Sequence, residues 1–324
     1  MSLWQKIALR IAEESGEPFK LQGEHAIGGG CINSASRLKG ESSSWFVKTN
    51  SADRLPMFEA EAAGLDELVA SNTVHVPKPL CTGIESGSAY IVMENIEMGR
   101  DGRDSMARFG RELAAMHHTT QDRFGWYRDN TIGATHQPNS EMESWIEFYR
   151  DRRLGYQIDL AARKGAHALS EKGERLMAGL DAFFNDYTPQ PSLLHGDLWS
   201  GNYAIDSHGV PVIFDPAVYF GDREADLAMS ELFGSFGPTF YDAYHEAWPI
   251  DPGYSVRKTL YNLYHIINHF NMFGSGYLGQ AESMLDRLRP RSVDHGATVL
   301  PLTISEVGSQ IYRVLSSLLL RRHS

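Results

Sequence analysis

Eight consecutive residues, His195-Gly196-Asp197-Leu198-Trp199-Ser200-Gly201-Asn202, hold an acid and an amide five positions apart in a glycine-containing turn. Transfer of a phosphoryl group to an alcohol needs a carboxylate that takes the hydroxyl proton, a role open to Asp197. It also needs an oxygen donor to hold Mg2+ on the phosphates, which the side-chain carbonyl of Asn202 can supply. A second carboxylate should follow a short strand, and Asp215 ends the apolar run Val212-Ile213-Phe214, thirteen residues after Asn202. Mg2+ prefers hard oxygen ligands and takes one or two protein carboxylates besides the phosphates, so Asn202 and Asp215 are a sufficient set. Either fragment alone reads equally well as a surface turn or a strand end. Their order and spacing together point to phosphoryl transfer.

The partners that such chemistry requires lie upstream. Gly28-Gly29-Gly30 stands between apolar segments, ahead of a short strand carrying Lys48. Backbone N–H groups of a glycine hairpin approach phosphates closely, and a lysine from the adjacent strand neutralises them. Glu59 and Glu61 on the following helix are both candidates to pin the lysine; Glu61, just before Ala62, Ala63 and Leu65, is favoured. No glycine stands three positions after Gly30, so the run is not a dinucleotide fingerprint. Met93, Glu94, Asn95 and Ile96 end an apolar strand where a nucleotide-binding hinge would offer backbone groups to adenine. Met93 and Ile96 either line the purine slot or pack the core. Cys31 lies in the glycine loop, where N–H groups and a lysine lower a thiol pKa. It reads either as a redox switch on nucleotide binding or as an inert small residue.

These residues need a scaffold of two kinds. Residues 1–95 read mostly as strands, at 44–48 and 89–93, with one helix at 55–69 whose Phe58, Ala62, Leu65 and Leu68 share a face. The polar, glycine-containing stretch 97–104 then marks a boundary. Beyond it, residues 106–118, 141–157, 170–187 and 257–273 have helical periodicity, interrupted by the apolar runs that precede Gly196 and Asp215. The expected class is α+β: a small β-rich N-lobe, residues 1–95, that grips nucleotide, and a larger, mainly helical C-lobe, residues 96–324, with the catalytic loop, metal ligands and substrate pocket.

Composition narrows the function. The chain has 324 residues, 42% hydrophobic and 22% charged, ample for a sizeable core. Its net charge of −11 disfavours nucleic acid and anionic membrane as partners. Two cysteines provide neither a disulfide framework nor a cysteine-rich zinc module. Leu3, Trp4, Ile7, Ala8 and Ile11 follow a 3.6-residue period, unlike the continuous apolar core of a signal peptide. The expectation is a soluble, cytoplasmic protein, monomer or homodimer.

With these motifs in order, the chain resembles the fructosamine (ketosamine) kinases, relatives of the aminoglycoside and choline kinases within the protein-kinase-like fold. The resemblance spans nearly the whole chain. It is carried by GGGCIN (28–33), FVK (46–48), FEAEAAGL (58–65), VMEN (92–95), HGDLWSGN (195–202), FDPAVYFGDREADLAM (214–229) and LYHIINHFNMFG (263–274). It implies a two-lobed fold and ATP- and Mg2+-dependent phosphorylation of a sugar hydroxyl on a ketosamine, typically at the 3-position, which labilises the adduct and amounts to deglycation. The acceptor is a small-molecule ketosamine or a glycated protein lysine. Kinases of another amino-sugar or amino alcohol share the core motif, and a nucleotide-binding pseudoenzyme is the non-catalytic alternative. Glycine at 196, where protein kinases have arginine, and the absence of the DFG and APE elements argue against protein kinase activity.

Further positions carry two readings each. Trp199 either stacks on a sugar ring or packs structurally. Asn268 and His269 form a substrate-pocket wall or are helix-packing residues. His265 and His269 have the i, i+4 spacing of a metal pair but lack the glutamate between them. Asp222, Arg223, Glu224 and Asp226 read as an ion-pair network supporting the loop, with Asp226 a candidate cap for the next helix.

Overall fold

Ser2 opens the first helix with a reciprocal cap: its hydroxyl accepts from the Gln5 N–H at 3.3 Å, and the Gln5 side chain accepts from the Ser2 N–H at 2.9 Å. This computed structural model describes residues 1–28, 32–102 and 104–288, so Gly29, Gly30 and Cys31 lie outside the described residues. The capped helix is α1 (Leu3–Ser15), followed by β1 (Gly23–Ile27), β2 (Ser34–Lys39), β3 (Ser44–Ser51), α2 (Leu55–Ser71), β4 (Pro79–Glu85) and β5 (Ser88–Glu94). The strands form one antiparallel sheet in the order β1-β2-β3-β5-β4. This region was expected to hold one helix; it holds two, because each face of the sheet needs a cover.

Strand alternation assigns the faces. Leu38, Val47, Tyr90 and Val92 pack under α1 with Ile7 and Ile11. Ala89, Ile91 and Met93 join the main core with Phe58, Leu65 and Leu68 of α2. Lys48 stands opposite Ile91 in the β3–β5 register, and therefore points to the α2 side.

The remainder is mainly helical. It runs through α3 (Ser105–His117), β6 (Asn130–Ile132), β7 (Thr135–Gln137), α4 (Trp145–Phe148), α5 (Gly155–Arg163), α6 (His167–Met177), β8 (Ser192–Leu194), β9 (Tyr203–Ile205), β10 (Pro211–Ile213), β11 (Tyr219–Gly221), α7 (Glu224–Leu232), α8 (Pro238–Ala247), α9 (Tyr254–Phe273) and α10 (Leu278–Arg287). The fold is thus a small sheet-based lobe joined to a larger helical one. Two expected helices differ in extent. The one placed at 141–157 begins at Trp145 behind the Ser144 cap and continues through a π-helical turn, Tyr149–Leu154, to Arg163. The one placed at 170–187 ends at Met177 and gives way to a 3-10 turn behind Gly179. Among the described residues, no helix is long and apolar enough to cross a membrane.

One hairpin positions the expected metal ligands. β9 and β10 pair Tyr203 with Ile213, which brings Asn202 and the residues after Ile213 to the same end. This explains the thirteen-residue spacing: the intervening chain goes out and back. The hairpin is stitched to both chain segments beside the sheet. Gly99 N–H donates to Ile205 O and Ser207 N–H to Glu97 O, both at 2.8 Å, while Ile213 N–H donates to His75 O at 3.0 Å.

Candidate active site

The loop after β8 is held from below. β8 pairs with β11, Leu194 opposite Tyr219, and both strands are buried. Arg153, turned inward by the π-helical turn, lies 3.9 Å over the Tyr219 ring and donates to Pro138 O and Asn139 Oδ1, each at 2.7 Å. His195 leaves β8 fully buried. Its Nδ1 accepts from the Asp197 N–H at 3.2 Å and its Nε2 meets Phe214 O at 3.0 Å, which assigns the proton to Nε2. Burial pushes its pKa down, in keeping with this neutral ring.

Gly196 has φ +81, and a Cβ there would stand 2.1 Å from Ala217 O. No side chain fits, which is why this position is glycine. The N–H groups of His195 and Gly196 both donate to Asp226, at 2.7 Å and 2.8 Å, and His117 Nε2 reaches the same carboxylate at 3.2 Å. Burial works to raise the Asp226 pKa, but His117, His195 and the Gly196 N–H outweigh it and hold the carboxyl below its ordinary value. Asp226 does not cap α7, as the sequence suggested. It lies in that helix's first turn and holds the His195–Gly196 backbone instead. Its neighbours do not form ion pairs with one another as expected, but pair with residues outside the cluster: Arg257 bridges Glu224 at 2.7 Å, Asp222 accepts from Tyr187 and Tyr261 at 2.8 Å and 2.5 Å, and Arg223 donates to Tyr244 Oη and to Trp248 O.

Asp197 and Asn202 then meet directly. The Asn202 amide donates to Asp197 O at 2.9 Å and to Asp197 Oδ2 at 3.2 Å, which leaves its carbonyl oxygen as the atom available to a cation. Burial, then the charge of Asp215, push the Asp197 carboxyl up to about 7, while the Asn202 amide acts in the other direction. Asp215 has φ +59, an uncommon conformation for a non-glycine residue, and its side chain is 49% exposed.

Lys48 joins the sheet to this group. Its ammonium is bonded to Glu61 Oε1 at 2.5 Å and to Asp215 Oδ1. Burial works to lower the lysine pKa, but Asp215 and Glu61 prevail and keep it charged. Of the two glutamates weighed from sequence, Glu61 meets Lys48, and Glu59 is exposed. The helix approaches this closely through Gly64, where a Cβ would already press on Val218 at 3.2 Å, just past Asp215.

The other sequence candidates are placed as follows. Gly28 is exposed at the end of β1. Met93 is buried in the main core, and Ile96 is half-buried. Glu94 N–H donates to Lys78 O at 2.8 Å, and the Asn95 amide donates to Ser44 Oγ at 3.0 Å. Trp199 is half-buried, edge-on to Phe233. Asn268 is buried, accepting from Gln157 at 3.2 Å and donating to Ile132 O at 3.3 Å, so its amide ties α9 to its neighbours. His269 is half-buried among aromatic rings. His117 and the loop-anchoring role of Asp226 escaped the sequence reading; a histidine beside the apolar face of 106–118 was the available signal.

Comparison with known proteins agrees with this geometry. The fructosamine kinase family model matches residues 3–290. A candidate ketoamine kinase of Synechocystis sp. is 48% identical over 283 residues, covering 87% of this chain and 95% of its own length. The chloroplastic protein-ribulosamine 3-kinase of Oryza sativa subsp. japonica is 46% identical over 84% of this chain and 80% of its own. The crystal structure of a candidate fructosamine-3-kinase from Haemophilus somnus superposes with a TM-score of 0.80 at 28% identity, covering 88% of this chain and 97% of that one. With the family's pattern matched over almost the whole described chain, this protein belongs to the fructosamine kinase family.

Proposed function

We propose that this protein is an ATP-dependent kinase that phosphorylates a sugar hydroxyl of ketosamines, a deglycation activity. The observation that carries the reading is the meeting of Lys48 and Glu61, from the sheet-based part, with Asp215, beside Asp197 and Asn202. Family membership supports ATP as the phosphoryl donor, and the names of the ketoamine and ribulosamine kinase relatives support the acceptor class.

In this reading Asp197 accepts the proton of the acceptor hydroxyl while the hydroxyl oxygen forms its bond to the γ-phosphorus and the bond to the ADP oxygen breaks. Lys48, oriented by Glu61, faces phosphate oxygens. Gly28 is assigned to the phosphates, together with Gly29 and Gly30, which lie outside the described residues, and residues 93–96 receive the adenine edge. Residues 1–95 are the nucleotide-gripping lobe and residues 96–324, of which 289–324 lie outside the described residues, the lobe with the base and the acceptor. Asn202 and Asp215 are hard oxygen donors at one end of one hairpin. Among the described residues no group of three or more His, Cys, Asp or Glu side chains could hold a metal by itself. Such a set suits Mg2+, which takes few protein ligands and supplies charge neutralisation on the transferring phosphoryl group.

The test is ATP consumption followed by phosphorus NMR with ribulosamine, fructosamine, aminoglycoside and choline acceptors. Ketosamine-dependent formation of ADP and a sugar phosphate is expected. Turnover only with an aminoglycoside or choline, or with no acceptor, would overturn the assignment.

A further inference from the structure

Among the described residues, Asn72, Ser86 and Asp215 are the non-glycine residues with positive φ. Asn72 ends a helix and Ser86 stands in the turn between β4 and β5, where this conformation is ordinary. Asp215 has neither excuse. Such a backbone persists only where the surroundings impose it. Upstream, the catalytic loop does so: Phe214 N–H donates to Asn202 O and His195 Nε2 donates to Phe214 O, both at 3.0 Å. Downstream, the hold comes from hairpin β6–β7, where Asn130 and Gln137 stand opposite each other in register. Gln137 Nε2 donates to Ala217 O at 3.1 Å, and Asn130 Nδ2 donates to Val218 O at 2.8 Å. Ala217 N–H donates to His195 O at 2.8 Å, so this one residue ties the hairpin to the catalytic loop.

The two amides are oriented by a hydrogen-bond chain that runs in one sense. Arg153 can only donate, and it donates to Asn139 Oδ1. Asn139 therefore turns its Nδ2 to Asn130 Oδ1, at 3.0 Å. Asn130 Oδ1 also accepts from Gln137 Nε2 at 2.8 Å, which leaves Asn130 Nδ2 for Val218 O. Gln137 Oε1 accepts from the Tyr264 hydroxyl at 2.6 Å. Arg153, Asn139, Gln137 and Asn130 are all buried, so an amide turned over would set acceptor against acceptor with no water to relieve it. A buried guanidinium thus dictates how two amides face the main chain after Asp215.

We propose that Asn130 and Gln137 are positioning residues for Asp215. Held in one orientation by Arg153, through Asn139, and by Tyr264, they fix the chain beyond Asp215 and with it the placement of Asp215 against Asn202. The proposal rests on the kinase reading, in which those two residues hold Mg2+. It goes beyond that reading by assigning the metal site's precision to a hairpin far from both ligands in sequence.

The test is the affinity for a non-hydrolysable ATP analogue, measured by calorimetry with Mg2+ and with EDTA. The ratio of the two Kd values reads the metal's share without turnover. Wild type should bind more tightly with Mg2+. Gln137→Met keeps the length but loses both donors, and should cut the ratio roughly 10-fold, the low end of the cost of removing an outer partner of a metal ligand. Tyr264→Phe, which frees only Gln137 Oε1, should cut it about 3-fold. Leu285→Ala, a core truncation on α10, controls for lost stability and should leave the ratio unchanged. An unchanged ratio in Gln137→Met, an equal fall in Leu285→Ala, or no gain from Mg2+ in wild type would overturn the positioning role. If Gln137→Met fails to fold, Tyr264→Phe decides by the same criterion. A wild type that binds no nucleotide would overturn the kinase reading, and this role with it.

Discussion

His195 and Gly196 are buried, with both N–H groups on the Asp226 carboxylate and no room for a Cβ at residue 196, whereas Trp199, a few positions on, opens a set of rings that are half-buried or exposed. The first region is overdetermined: a strand pair, a histidine of assigned tautomer, a charged anchor and a steric exclusion all demand one backbone path. The second is held mainly by ring contacts. The contrast matches two tasks. A base must stand within about 0.5 Å of its productive position, which takes many constraints. A half-buried set of rings tolerates change, since each ring contributes only a modest contact.

Breaking the base itself should have the largest effect. Asp197→Asn keeps the shape and the bond to Asn202 but removes the proton acceptor, and turnover should fall roughly 10²- to 10⁴-fold in single-turnover assays. Next comes the anchor. Asp226→Asn leaves one backbone N–H facing an amide N–H in a buried place, and denaturant unfolding should show a loss of about 2–4 kcal/mol together with lower kcat.

Acidity should separate the regions further. Because the Asp197 carboxyl is raised to about 7 and acts unprotonated in the proposed mechanism, kcat/KM should drop about tenfold per pH unit below that value and level off above it. Raising Mg2+ offsets the Asp215 charge that helps hold this pKa up, so the acid limb should move to lower pH. The opposite shift would count against the assignment. The smallest effect belongs to the open ring group: Phe273→Ala, at an exposed ring, should change stability by no more than about 0.5 kcal/mol in the same unfolding assay.

Much of this arrangement was legible in the linear chain. The acid and amide of the catalytic loop, the carboxylate thirteen residues on, and the lysine on a strand before a glutamate-bearing helix were all found by spacing. Turns and hairpins act over such short separations, so local order carries the information. The failures are instructive because each involves a long-range contact. Asp226 looks like a helix cap in sequence, since an acid in a first turn usually serves its own helix. Here it turns to backbone groups thirty residues earlier, because His195 and Gly196 are buried with their N–H groups facing it. The extra helix α1 was visible as a 3.6-residue period, but the need to cover the outer face of the sheet appears only once the strands are assembled.

Residue types and their order were enough to identify phosphoryl transfer, because that chemistry demands particular atoms at short, chain-controlled separations. Tertiary packing decided the choice of Glu61 over Glu59, the anchoring of the loop by His117 and Asp226, and the gathering of Phe233, His269, Phe273 and Tyr277 beside Trp199. Those outcomes depend on which helix faces meet, and the meeting is set by the burial of apolar surface across the whole chain.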